Sequence, residues 1–406
     1  MRRQIVVVGA GPSGAIAGAL LARQGRDVLV LERQQFPRFS IGESLLAHCL
    51  DFVDEAGMMP AVESAGFQLK NGAAFARGND YADFDFAECF TPGRTSTFQV
   101  QRAAFDKILA DEAARCGAEV RYGYGLVALR PGEKGVELTA TTPDGGTIDL
   151  TADFVLDASG FGRVLPRLLN LEHPSGFPVR QALFTHVADR IGAGSFDRNK
   201  IRVTVHPRHP DVWFWLIPFS GGRSSLGVVA THEFLSRYAG SKETQLRAIV
   251  GEDPGLSALL EHAEWDTPVR EIVGYAANVK AMHGPGFALL GNAAEFLDPV
   301  FSSGVTIAMR SASTAAAVLQ RKFAGETVDW NLEYEQPLRR GIECFRTYVD
   351  AWYDGRFQTV VFHPGRSMEI QRKICSILAG YAWDTTNPFV AEPRRRLDAL
   401  VALCRL

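Results

Sequence analysis

Ile5-Val6-Val7-Val8 is an unbroken apolar run, the pattern of a strand buried on both faces. It leads directly into Gly9-Ala10-Gly11-Pro12-Ser13-Gly14, and the alanine- and leucine-rich stretch 13–24 that follows predicts a helix. Gly25 ends that helix, and Asp27 to Leu31 predicts a second strand that delivers Glu32 at its end. A second pattern lies at 211–219, D-V-W-F-W-L-I-P-F. On a strand it puts Trp213, Trp215 and Ile217 on one face and Phe214 and Leu216 on the other, so both faces are apolar and both should be covered. Pro218, which has no N–H, is expected to stop the ladder there. Further on, 287–291 reads as a strand and glycine loop, 305–319 as a helix, and the rest of the chain to 406 as helical.

Composition narrows the class without naming a chemistry. Of 406 residues, 46% are hydrophobic and 22% charged, enough for two or three units around a large core. A net charge of −3 argues against a nucleic-acid or membrane partner, and Arg394-Arg395-Arg396 reads as a solvated helix start. The six cysteines are scattered in sequence with no C-x-x-C, as expected for reduced thiols in a cytoplasmic protein, with no disulfide framework or zinc site. His206-Pro-Arg-His209-Pro reads as a turn and not as a metal site. The apolar run at the N-terminus is too short for a signal peptide, and no stretch approaches the length of a membrane span.

The chemistry begins at the first turn. Gly9, Gly11 and Gly14 have the spacing G-x-G-x-x-G between a strand and a helix. Gly9 makes the tight turn, Gly11 lets backbone approach a pyrophosphate, and Gly14 lets helix and strand pack closely. Pro12 and Ser13 open the helix whose N-terminus faces the phosphates. Glu32 falls where an acid holds a ribose, with Arg33 beside it. The pieces occur in register, so this is a dinucleotide site.

Downstream segments select FAD. F-P-R-F-S-I-G-E-S-L-L at 36–46, with Ile41, Gly42, Glu43 and Ser44, is not carried by an ordinary NAD domain. The segment 287–305, with Gly291, Asn292, Asp298, Pro299, Gly304 and Val305, resembles the loop that closes over the flavin in the glutathione-reductase and aromatic-hydroxylase group. So does F-Q-V-Q-R-A-A-F-D-K-I-L at 98–109, which puts Arg102 in the flavin-contacting place. V-L-D-A-S-G-F-G-R at 155–163, with Asp157, corresponds to the hydroxylase stretch that serves flavin and pyridine nucleotide. It has Ser159 where that stretch has its aspartate, which weakens the case for resident NADPH. The expected fold is α/β: a Rossmann-like FAD-binding domain from 1–75, 95–170 and 280–320, an antiparallel substrate-side sheet from 75–95 and 171–279, and a helical C-terminal region, 321–406.

Taken together, P-R-F-S-I-G-E-S-L-L, the lysine of G-F-Q-L-K-N-G (66–72), W-F-W-L-I-P (213–218) and G-N-A-A-x-x-x-D-P-V-F-S-S-G-V resemble the flavin-dependent halogenases, the W-x-W-x-I-P hexapeptide being that family's own mark. The resemblance spans residues 9 to 305. It implies that FADH2 and O2 oxidise chloride or bromide to hypohalous acid, which reaches Lys70 and halogenates an electron-rich aromatic. Trp213, Trp215 and Ile217 would be the barrier between flavin and substrate, and Ser303 and Gly304 would hold the halide on backbone N–H groups at a helix N-terminus. A separate NAD(P)H-dependent reductase would supply FADH2, since only one G-x-G-x-x-G is present. Tryptophan halogenases carry a glutamate where this chain has Phe301, so the resemblance points to the phenol and pyrrole branch, some of whose members act on carrier-protein-tethered substrates. The alternatives are a flavin aromatic hydroxylase, a geranylgeranyl-reductase-like oxidoreductase and an idle FAD-binding protein.

Overall fold

The computed structural model describes residues 1–132 and 135–405; Glu133 and Lys134, within the expected 95–170 segment, and Leu406 lie outside the described residues. The Arg2–Val8 strand sits at the centre of the first sheet. Its register with Thr147–Asp157 on one side and Val28–Glu32 on the other is parallel throughout. Phe287–Leu289 and Glu119–Tyr122 extend the parallel order outward, and the hairpin Gly125–Gly132/Gly135–Thr141 pairs antiparallel with the first half of Thr147–Asp157. Ile5, Val6 and Val7 are fully buried, as an apolar run in the middle of a covered sheet must be. The helix Pro12–Arg23 packs against Arg102–Arg115 and Ser303–Phe323, so a layer of three helices covers this sheet.

The second sheet has seven strands in the order Arg270–Val273, Arg180–Ala188, Arg223–Thr231, Trp213–Phe219, Lys200–Val205, Gly72–Arg77, Asp80–Asp85. It is not wholly antiparallel as expected: Gly72–Arg77 runs parallel to Lys200–Val205, because the chain reaches it from the nucleotide-binding side without a hairpin. The tryptophan strand is covered on both faces. Trp213, Trp215 and Ile217 belong to the main core, while Phe214 and Leu216 pack into a second cluster with Leu246, Ile249 and Leu256 of the helices behind the sheet. Pro218 does not end the ladder, which continues to Phe219 opposite Arg223. Lys200–Val205 pairs only as far as Leu216, so from Ile217 onward this strand has one neighbour. The missing N–H of Pro218 then deprives no partner.

The C-terminal residues form helices Gln336–Tyr353, Arg356–Val361, Met368–Leu378 and Pro393–Cys404. Met368–Leu378 brings Cys375 to 3.6 Å from Cys89, an unbonded thiol pair that the separation in sequence hides. His206 is buried and paired with Glu252 at 2.9 Å, stacked on Phe214. No described helix is long and apolar enough to cross a membrane.

Candidate active site

The glycine turn is built by close approach. Gly9 has φ 99°, and a Cβ there would stand 2.6 Å from the Ala158 carbonyl oxygen. Gly14 backs onto the Gly9 carbonyl, whereas a Cβ on Gly11 would meet nothing closer than the Arg38 guanidinium at 3.5 Å. Gly11 therefore faces open space. That space is a cavity of about 360 Å³ lined by Gly9, Gly11, Pro12 and Ser13 and also by Trp213, Trp215 and Ile217. Glu32, Arg33, Ile41, Gly42, Glu43, Ser44, Arg102, Asn292, Pro299, Gly304 and Val305 also line it.

Each lining group is held by neighbours from distant sequence. The Glu32 carboxylate accepts the N–H groups of Ala10 and Gln34 at 2.9 Å each, leaving lone pairs toward the cavity. Arg102 grips Asp106 with two of its N–H groups and donates to Ile41 O at 2.6 Å, which holds the Ile41–Gly42 loop in place. Glu43, 2% exposed, lies 2.6 Å from His186 Nε2. Trp215 donates to Ser225 Oγ at 3.1 Å and lays its ring on Gly227, where a Cβ would stand 2.2 Å from the indole. Trp213 donates to the Tyr353 hydroxyl at 2.9 Å, and that hydroxyl donates to Asp298 at 2.8 Å. Tyr275, which lines the cavity, also donates to Asp298, at 3.1 Å. Burial holds the Asp298 carboxyl above its ordinary pKa, opposed by the hydroxyl donated from Tyr353. The tryptophan strand, the Asp298–Gly304 loop and the last helical turn before Asp354 thus form one buried network.

Six expected residues lie outside the cavity lining: Gly14, Lys70, Asp157, Gly291, Asp298 and Ser303. Asp157 is corrected in role. Its two oxygens accept the N–H groups of Ser159 and Leu165 at 2.9 and 2.7 Å, so it shapes the loop under the cavity and does not face it. Asp298 and Gly291 act similarly, the first through Tyr353 and Tyr275, the second by accepting the close approach of Ala308 at φ 52°. Ser303 opens the helix Ser303–Phe323 but is buried, while Gly304 and the left-handed Ser302, φ 57°, line the cavity. The network through Tyr353, Ser225 and Gly227 was not foreseen. W-x-W marked the donors, but their acceptors lie on other strands and in the C-terminal helix.

Lys70 is the exceptional charge. It is 1% exposed, and its Nζ donates to Leu45 O at 2.7 Å and lies 5.5 Å from the centre of the Phe86 ring. Among the buried lysines and arginines, Arg102, Arg163, Arg180 and Lys200 each face a carboxylate. Lys70 faces none among the described residues. Burial pushes its pKa down to about 7, and burial pushes the neighbouring Cys49 thiol up to about 12.

The donor set fits a flavin dinucleotide. The helix Pro12–Arg23 has no side-chain cap and no acid in its first turn, so its N–H groups stay free for phosphate. Asn292 Oδ1, buried in the cavity lining, has no partner among the described residues. Residues 2–342 match the family model described as an FAD binding domain. Flavin-dependent halogenase gsfI of Penicillium aethiopicum is 30% identical over 379 residues, covering 86% of this chain and 70% of its own length. The chain belongs to the flavin-dependent halogenases. A further halogenase relative, the 1H-pyrrole-2-carbonyl-[peptidyl-carrier protein] chlorinase of Pseudomonas fluorescens, is 28% identical with 94% of each chain covered. Tryptophan 2-halogenase of Chondromyces crocatus is 32% identical over 80% of this chain, which spans 62% of that protein's length. Among solved structures, a flavoprotein/dehydrogenase from Cytophaga hutchinsonii is 41% identical, with a TM-score of 0.96 and 100% of this chain and 99% of that one covered. The cofactor of this halogenase-family chain is FAD, and Gly11, Ser13, Glu32 and Asn292 line the cavity that would hold it.

Proposed function

We propose that this protein halogenates a small electron-rich aromatic, a phenol or pyrrole, free or tethered to a carrier protein, using chloride or bromide. The observation that carries the reading is Lys70: a fully buried amine that faces no carboxylate among the described residues, outside the lining of a cavity that Trp213 and Trp215 help to line. FAD, when bound and reduced, supplies the electrons that activate O2 to oxidise the halide. The residues do the rest. Gly304 and the helix behind it offer N–H groups to the anion. Trp213, Trp215 and Ile217 keep water and substrate from the flavin cavity. Lys70, near half-neutral at pH 7, either hydrogen-bonds hypohalous acid or takes up the halogen as a haloamine beside the ring. On this reading 1–75, 95–170 and 280–320 hold FAD, 75–95 and 171–279 form the substrate side, and 321–406 closes the entrance. A separate reductase supplies FADH2 in the cytoplasm.

The test is product mass after incubation with reduced FAD, O2, bromide and a panel of phenols and pyrroles. Halogenated product should appear in the parent and fall by several orders of magnitude in Lys70→Ala. Lys70→Arg should not rescue it, because a guanidinium is not deprotonated in a protein. Consumption of reduced flavin by O2 should stay close to parental in both variants. The likeness to a flavoprotein/dehydrogenase favours a second reading, a halide-independent flavin oxidoreductase. Brisk oxidation of NADH or NADPH by the protein and FAD alone, with no halogenated product, would put that reading first.

A further inference from the structure

Two thiols far apart in sequence meet one turn from Lys70. Cys89 follows the short turn Phe86–Glu88, and Cys375 lies on the helix Met368–Leu378. Their sulfurs are 3.6 Å apart with 286 positions between them, and both thiols are free. The contact is held from both sides. The Phe90 N–H donates to Arg372 O at 3.1 Å and the Thr91 N–H to Ser376 Oγ at 2.9 Å. The backbone beside Cys89 is thus laced to the helical turn that carries Cys375. The Cys375 thiol itself donates to Asp85 O at 3.1 Å. A disulfide needs its sulfurs about 2.05 Å apart and its Cα atoms within about 7 Å. Closing one here takes a sulfur movement of about 1.5 Å.

The two cysteines are not equivalent. Cys89 is part-buried, whereas Cys375 is fully buried. The contact with Cys89 and burial hold the Cys375 thiol well above its ordinary pKa, so Cys375 keeps its proton. Cys89 is therefore the sulfur that an incoming oxidant meets first, and Cys375 stands ready to resolve the product. Cys116 and Cys404 are part-buried like Cys89, yet neither touches a second thiol among the described residues. An oxidant is at hand wherever a reduced flavin meets O2, because oxygen not used in a reaction leaves as hydrogen peroxide. The pair also bears on the site: the Cys89 N–H donates to Phe86 O at 3.3 Å, and the centre of the Phe86 ring is 5.5 Å from Lys70 Nζ.

We propose that Cys89 and Cys375 form a reversible, peroxide-driven disulfide that clasps the turn beside Lys70 to the C-terminal helices. In the first step the Cys89 sulfur attacks hydrogen peroxide. An S–O bond forms, the O–O bond breaks, and the thiol proton leaves with the second oxygen as water. In the second step the Cys375 sulfur attacks Cys89. The S–S bond forms, the S–O bond breaks, and hydroxide departs as water with the Cys375 proton. Two electrons pass from the sulfur pair to the peroxide, and a thiol reductant returns them. The clasp goes beyond the halogenase reading and does not need it, since any flavin that reacts with O2 supplies the peroxide.

The FAD-loaded protein is treated with hydrogen peroxide, and its cysteines are read by peptide mass without reduction. A peptide joining Cys89 to Cys375, lighter by two hydrogens, should appear and should vanish with dithiothreitol. Reduced FAD and O2 without any other substrate should give the same cross-link, and added catalase should suppress it. Dimedone, which captures sulfenic acids, separates the roles. Its label on Cys89 in Cys375→Ser should exceed its label on Cys375 in Cys89→Ser roughly tenfold or more. Cys116→Ser should leave the cross-link intact. With 286 positions between its ends, the cross-link constrains most of the unfolded chain, so the oxidised parent should melt at a higher temperature than the reduced one. Circular dichroism checks that the serine variants fold; if either does not, the cross-link and its melting shift in the parent decide. No cross-link in the parent, a cross-link that lowers the melting midpoint, or dimedone on Cys375 as readily as on Cys89 overturns the clasp. Absence of halogenated product under all conditions would sink the halogenase reading and leave the clasp untouched.

Discussion

Replacing Lys70 by methionine should make the protein more stable and less active at once. Burial lowers the Lys70 pKa from 10.5 to about 7. At 1.36 kcal/mol per unit, keeping the charged amine in the fold costs ~5 kcal/mol, and nearly all of that is present at pH 7. The sign follows from proton counting. Between pH 7 and 10.5 the unfolded chain binds the proton that the folded chain has released, so stability rises with pH across that window and the penalty is gone above it. Methionine has a similar length and no charge to desolvate. It forfeits the 2.7 Å hydrogen bond to Leu45 O and the approach to Phe86, and leaving that carbonyl unpaired costs ~1–3 kcal/mol. The net gain at pH 7 is therefore ~2–4 kcal/mol. Urea unfolding of both proteins, saturated with FAD, at pH 7 and pH 10 measures it. The other lysines and tyrosines titrate identically in the pair and cancel. The gap should favour Lys70→Met at pH 7 and reverse between about pH 8 and pH 10, so that by pH 10, where the folded parent keeps a neutral amine bonded to Leu45, the parent is the more stable. A variant less stable than the parent at pH 7, or a gap independent of pH, would refute the reasoning.

Gly227→Val should drive the Trp215 indole off its seat, since the Cβ alone would stand 2.2 Å from the ring, costing ~1–3 kcal/mol in urea unfolding and shifting tryptophan fluorescence. Unchanged emission would show that the seat is not tight. Tyr353→Phe leaves the Trp213 N–H and Asp298 each short of a partner, so stability should fall by ~1–3 kcal/mol while FAD remains bound. Loss of FAD on desalting would instead place Tyr353 in the cofactor site. Gly11→Val should keep the fold, because Gly11 has an ordinary φ of −66°, yet abolish FAD retention by filling the phosphate approach; a yellow, flavin-loaded variant would contradict that.

The sequence was informative wherever a local rule constrains the backbone. G-x-G-x-x-G between an apolar run and an alanine-rich helix admits few structures, and alternation at 213–217 declared both faces of the strand. Local rules fail where the partner is remote. Pro218 looked like a stop because the point at which its neighbouring strand runs out lies at Leu216, a property of Lys200–Val205 and not of the hexapeptide. Asp157 looked like a flavin ligand because its motif is one, yet its oxygens are spent on the backbone of the turn that follows. Trp213 reaches a tyrosine 140 positions away, which no periodicity announces.

Phe301 bears on the substrate proposed above. It is 4% exposed and meets Trp352 and Phe357 edge-on, with ring centroids 5.9 and 5.4 Å away, so apolar rings occupy the place of the glutamate that tryptophan halogenases carry. A carboxylate there would stabilise the positive charge that develops on an indole as the halogen adds. Without one, the ring must supply that stabilisation itself. A phenol does so by ionising, and a pyrrole by the lone pair of its nitrogen. An ionised phenol would also pair with the Lys70 ammonium, which faces no carboxylate among the described residues. Phe301→Glu should therefore not create activity on indoles. The new carboxylate, buried between the Trp352 and Phe357 rings, would be held protonated by desolvation and so could not supply the missing charge. Product formation from indole, followed from pH 7 to 9, should stay at background. Efficient bromination of indole by that variant would show that the aromatic cage is not what sets the substrate.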